Sequence, residues 1–208
     1  MVNTGNRTCF NLETLINYDV MEEKVKELAD IFTKMVANAN SFGDIWKNIT
    51  PGRRAFALMK ELPDTLAGEF DTPADKATLL GQMLDQMEET FTPRFCISVR
   101  EYMQALAPND VGNNAKLAQL RDYIDLSLPM EEYCRKYHKH LKFDPVERTE
   151  EMENVIESVE REVAEELAGM HRGMGFCFAH WHTRKAALAN RGIEWNSPNT
   201  MNPGVIFD

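Results

Sequence analysis

Residues 150–170 read EEMENVIESVEREVAEELAGM, and the apolar positions within them decide the fold class. Met152, Ile156, Val159, Val163, Leu167 and Met170 recur in five steps over eighteen residues. That spacing is about 3.6 residues per step, the α-helical repeat. Six glutamates lie at the positions between, so the segment reads as a helix with its stripe to the core and its acids to water. Met174, Phe178, Trp181, Lys185 and Leu188 continue the same phase past Gly173 and Gly175. An interior Gly costs about 1 kcal/mol relative to Ala, which favours two helices hinged at these glycines over one long helix.

The same period recurs outward along the chain. Met21, Val25, Leu28, Phe32, Met35 and Ala39 line one helix face. Asp19 and Glu22 resemble a capping box at its start, and Gly43 follows its end. A shorter helix is expected over 53–62, closed by Pro63. Thr72-Pro73 is a clean start signal, a capping hydroxyl followed by Pro at the first helical position. Thr92-Pro93 repeats it, opening a new helix or kinking the preceding one. Pro108–Asn114 is a loop, 116–126 a helix, and Leu128-Pro129 opens another, with Met130, Cys134, Tyr137 and Leu141 on one face.

No run of strand-like alternation and no internal repeat interrupts this pattern. The expected fold is all-α, a bundle of roughly five to eight helices, with 1–192 as one helical domain. Gly192 ends the regular pattern. Prolines exclude a helix through 193–208, yet this tail carries Ile193, Trp195, Met201, Val205, Ile206 and Phe207. Disordered tails are poor in such residues, so an ordered, extended tail docked on the bundle is expected.

Composition narrows the function. The 208 residues carry 23 Lys and Arg against 33 Asp and Glu, a formal net charge of −10. Such a surface repels phosphate on average, which argues against non-specific nucleic-acid binding. The charge is polarised: residues 143–172 hold ten acids against three arginines, and Arg135–Lys142 just before them holds four fixed cations. Pairing of that basic run with the acidic helix after it, or with a partner, is the economical expectation. No stretch of roughly 20 apolar residues is present to span a membrane. The opening residues Met1–Thr8 are polar, without an apolar run of signal-peptide kind. A reducing, cytoplasmic setting is therefore expected, with Cys9, Cys96, Cys134 and Cys177 as free thiols.

The sharpest chemical constellation is Cys134-x-x-x-His138 with Cys177-x-x-His180. Each spacing puts its pair on one helix face, and two Cys with two His form a complete tetrahedral zinc set. The competing reading makes the cysteines small core hydrophobes and the histidines hydrogen-bonded rim residues. His180 and His182 point opposite ways on a helix, so only one of them can join His171 or Cys177. Glu147-x-x-Glu150 and Glu162-x-x-Glu165 resemble the paired-Glu motifs of all-α nucleotide pyrophosphohydrolases. That resemblance covers a few residues only, and implies a Mg²⁺-dependent hydrolase built on those carboxylates. No nucleophile elbow, P-loop or dinucleotide fingerprint occurs.

With no catalytic motif outweighing its plain structural reading, the leading expectation is a helical protein whose task is interaction, with a protein partner or a second copy. A metal-binding protein or metal-dependent enzyme using the Cys/His set between two helices is the alternative. Trp195, Met201, Ile206 and Phe207 of the tail are the candidate partner-binding residues, against packing of the tail on its own bundle.

Overall fold

The computed structural model describes residues 12–207, with side chains from Val20 onward. Cys9 and the polar N-terminal residues lie outside this range. The described residues are all-α: nine helices, two short 3-10 turns and no strand. In order they are α1 (Leu12–Asn40), a 3-10 turn (Ile45–Asn48), α2 (Ile49–Glu61), α3 (Pro73–Asp85), α4 (Pro93–Leu106) and α5 (Val111–Ile124). Then come α6 (Met130–Lys136), a second 3-10 turn (Pro145–Arg148), α7 (Glu150–Glu166), α8 (Phe176–Ala189) and α9 (Pro198–Met201). None of these helices is long and apolar enough to cross a membrane.

Both Thr-Pro signals begin separate helices. Thr72 forms a full capping box with Asp75, its hydroxyl accepting from Asp75 N while the Asp75 carboxylate accepts from Thr72 N. Thr92 makes no such cap. Glu153 of α7 replaces it: Oε2 accepts from Arg94 N and Oε1 from Phe95 N, both at 3.1 Å. A buried carboxylate thus satisfies the orphan amides at the start of α4, where the helix dipole favours negative charge.

The main core lies between α1, α2, α3, α4 and α5, around Met35, Leu58, Met59, Leu80 and Met83. A second cluster joins Ile49, the α7 stripe, Ala187 and Leu188 of α8, and Ile193 with Trp195. A third, smaller cluster holds Tyr123, Met130, Tyr133 and Cys134.

Several expectations change. α1 begins at Leu12, so Asp19 is inside the helix and does not cap it. α2 begins at Ile49, with Pro51 tolerated in its first turn. The hinge at 173–175 is a break: α7 ends at Glu166, and α8 starts at Phe176 after Gly175, whose φ of +82° suits Gly. Met170 falls outside α7 and is exposed. The acids of α7 do not all face water, because Glu153 and Glu160 are buried. The basic run pairs internally, but with other helices: Lys136 with Asp122 of α5, and Lys142 with Glu131 of α6. In the tail a helical turn does form at Pro198, because Pro suits the first helical position and Ser197 Oγ accepts from Thr200 N.

Candidate interaction surface

From Leu167 to Ile193 the chain carries Arg172, Arg184, Lys185 and Arg191 and not one acid. In a chain of net charge −10, this loop and helix are an electrostatic exception. The inner face of α8 meets its counter-charges in α7. His180 Nε2 lies 3.1 Å from Glu160 Oε2, within hydrogen-bond distance. Arg184 Nε lies 3.4 Å from Glu160 Oε1, an ion pair without a hydrogen bond on either atom, since the N–H is not aimed at the oxygen. The Arg184 guanidinium also lies over the rings of Trp195 and Phe91, at 4.9 and 5.7 Å. Arg191 pairs with Glu162 at 2.8 Å.

The outer face of α8 finds no such partner. Phe178 and Trp181 meet edge to face at 5.5 Å, and Phe207 of the tail stacks edge-on against Trp181 at 5.1 Å. Among the described residues, six of the eleven exposed large apolar side chains belong to α8, the loop before it, the tail that reaches Trp181, and Phe42 across the adjoining groove: Phe42, Met170, Met174, Phe178, Val205 and Ile206. Met174 and Ile206 are 93% and 89% exposed. Such clustering on a protein surface marks an interaction site more often than scattered apolar residues do.

The patch borders a groove of about 270 Å³ between Phe42 on one side and Phe176, Cys177 and Trp181 on the other. Arg172 crosses its end, donating to the Phe42 carbonyl and lying over the Phe42 and Phe176 rings at 6.0 and 5.7 Å. Gly43 makes this approach possible. Its φ is +78°, and a Cβ there would sit 2.8 Å from Arg172 Nη1.

The zinc set does not assemble as its spacing suggests. α6 stops at Lys136, and His138 takes the left-handed conformation at φ +51° while Lys139 N donates to Cys134 O at 2.9 Å. This is a Schellman-type helix end with His in the position usual for Gly. His138 is therefore exposed and off the helix face that carries Cys134. Cys134 is buried in the third cluster, its thiol against Met130 Sδ and Leu141 O. Cys177 lines the groove, and no hydrogen bond joins it to His180. Among the described residues, no group of three or more His, Cys, Asp or Glu side chains is arranged to hold a metal.

The paired glutamates are likewise dispersed. Glu147 lies on the second 3-10 turn, largely buried, and accepts from Trp195 Nε1 at 2.7 Å. Burial pushes its carboxyl above the ordinary value, against the opposing Arg184 charge and the Trp195 hydrogen bond. Glu150 and Glu165 are exposed, and Glu162 is held by Arg191. Glu147 also borders a cleft of about 440 Å³, with Glu88, Glu89, Lys116, Tyr123 and Tyr133 among its walls.

Of the four tail candidates, Trp195 is only 2% exposed and bonded to Glu147, so its own protein takes it out of any interface. Asn196 N and Nδ2 both donate to Asp144 Oδ2, and Asn202 exchanges hydrogen bonds with the Lys142 backbone. Met201 and Phe207 are half-buried, and Ile206 is exposed. Sequence reasoning missed Phe42, Phe178, Trp181, Arg172 and Lys185 as surface residues. The signal available was the acid-free stretch 167–193. Phe42 carried none, because its place depends on a contact across 130 residues.

No protein-family model matches this chain, and no curated protein or solved structure matches it significantly.

Proposed function

We propose that this protein is a non-enzymatic interaction module that engages a protein partner through the outer face of α8 and the adjoining tail. The observation that carries this reading is the set of exposed apolar side chains on the acid-free stretch before and within α8, Met170, Met174 and Phe178, beside the tail that meets α8 where Phe207 packs on Trp181. Aromatic anchors with apolar neighbours are what interfaces place at their centre. His180 and Arg184 of α8, by contrast, are turned inward onto buried Glu160. Phe178 and Ile206 are exposed, so the double variant Phe178→Ser, Ile206→Ser should keep the fold and its circular dichroism. Partners recovered with the native chain should be lost with this variant and retained by Leu126→Ser, an exposed site outside the 167–207 region. Turnover of nucleotide or ester substrates that disappears in Glu162→Gln or His180→Ala would overturn the proposal.

A further inference from the structure

We infer that the groove beside α8 receives an amphipathic helix of a partner protein whose flanks carry carboxylates. The inference rests on the interaction reading above and adds the chemistry of the occupant. The groove between Phe42 and Trp181 is concave and about 270 Å³, room for apolar anchors presented at helical spacing. Its rim supplies the charge selection. Lys185 is exposed one helical turn beyond Trp181 of the groove wall, and Arg172 is itself part of the lining. Among the described residues, neither cation is within 4.0 Å of a carboxylate, while Arg184 and Arg191 of the same segment both are. Asp44, which feels the Arg172 charge without pairing with it, is itself held by Lys47 at 2.9 Å. Cations left over at the edge of an apolar groove select carboxylates on the partner and reject ammonium groups.

Two other occupants fit less well. A two-fold contact with a second copy sets the same surface against itself, which brings Arg172 and Lys185 toward their own copies with no acid in 167–193 to answer them. An anionic membrane presents a broad plane to the whole chain, whose net charge is −10, and a plane does not enter a groove. A helix narrower than the protein meets chiefly the local cations, because salt screens charges beyond about 8 Å.

The test uses the full chain and two synthetic peptides of about 18 residues, long enough to form a helix. Both carry Leu and Phe at helical spacing; one has Glu flanks, the other Lys flanks. Fluorescence anisotropy should show the Glu peptide binding about ten-fold more tightly than the Lys peptide. Lys185→Glu should abolish that preference, and Phe178→Ala should weaken binding of the Glu peptide several-fold. Both residues are exposed, so these variants stay folded. If the peptides bind equally and Phe178→Ala weakens both, the acidic partner is wrong while the interaction surface stands. If neither binds, the helix-in-groove inference is overturned. Binding to phosphatidylserine vesicles in place of peptide, or self-association lost in Phe178→Ala by sedimentation, overturns it in favour of those occupants.

Discussion

Arg148 offers the sharpest test of how this fold is held. Its side chain is 2% exposed, and among the described residues it has no ion pair. Its guanidinium instead donates to four backbone carbonyls where α5 ends: Tyr123 from Nε, Leu128 from Nη1 at 2.9 Å, and Asp122 and Asp125 from Nη2. These include the last-turn carbonyls a helix leaves unpaired, at the negative end of its dipole. Arg148→Met keeps most of the stem volume and removes every donor. The Asp122 and Asp125 carbonyls lie near partly exposed residues and regain water, whereas the Tyr123 carbonyl is buried and does not. One or two orphaned carbonyls at about 1–3 kcal/mol each, with loss of the charge–dipole attraction, imply a destabilisation of about 3–4 kcal/mol. Against a total of about 5–15 kcal/mol this is a large fraction. With a urea slope of about 2 kcal/mol/M, the midpoint should fall by roughly 1.5–2 M at unchanged slope. Arg148→Lys keeps the charge but cannot span four acceptors, and should lose about half as much. Urea unfolding followed by far-UV circular dichroism measures all three chains. If Arg148→Met unfolds within about 0.5 kcal/mol of the native protein, the guanidinium does not hold the end of α5 and the reasoning fails.

Glu153→Ala removes the carboxylate that caps α4 from α7, and should cost about 1–3 kcal/mol in the same assay; a loss typical of a bare surface site would refute the cap. Glu147→Gln keeps an acceptor for Trp195 Nε1 while removing a carboxyl raised by burial. A raised folded-state carboxyl holds its proton more tightly than the unfolded chain does, so its contribution to stability declines as pH rises above the ordinary Glu value of about 4.3. The native protein should therefore gain stability relative to Glu147→Gln on acidification from neutrality toward that value, and a pH-independent difference would contradict this. Iodoacetamide mapping should modify Cys177 before Cys134 and Cys96. Cys177 lines the open groove, whereas burial pushes the Cys96 thiol up to about 12 and also raises that of Cys134. Equal labelling of Cys96 and Cys177 in the folded protein would show the groove to be closed.

The helices were legible where the signal is local. Thr72-Pro73 and Thr92-Pro93 carry their start signals within two residues, and the stripe from Met152 to Val163 needs only the period of one helix. The zinc pairing went astray because helix spacing was extended two residues past Lys136, where the chain turns left-handed at a residue that is not Gly. The acids of α7 were misplaced for a different reason. Periodicity separates apolar from polar positions but does not say which polar positions face a neighbouring helix. Glu153 and Glu160 are buried because α4 offers unpaired amides and α8 offers His180 and Arg184, and both depend on helix packing.

That inward placement explains the surface. A helix has two long sides, and on α8 the residues at Phe176, His180, Thr183, Arg184 and Ala187 turn toward α7. Glu160 answers both basic groups on that side, His180 and Arg184, so the side is fixed by charge as well as by packing. With it fixed, Phe178 and Lys185 face outward, while Trp181 lies at the edge between the two sides, half-buried and packed in part against the α7–α8 cluster. The tail covers part of Trp181 with Phe207 but leaves Phe178 and Ile206 bare. A carboxylate added to this outer face would have satisfied solubility at little cost, yet none occurs between Leu167 and Ile193. The acids of this chain therefore do two opposite things. Inside, they clamp α8 in one orientation; by their absence outside, they leave an apolar, cationic edge on an otherwise anionic protein, which is the arrangement a helix with acidic flanks would recognise.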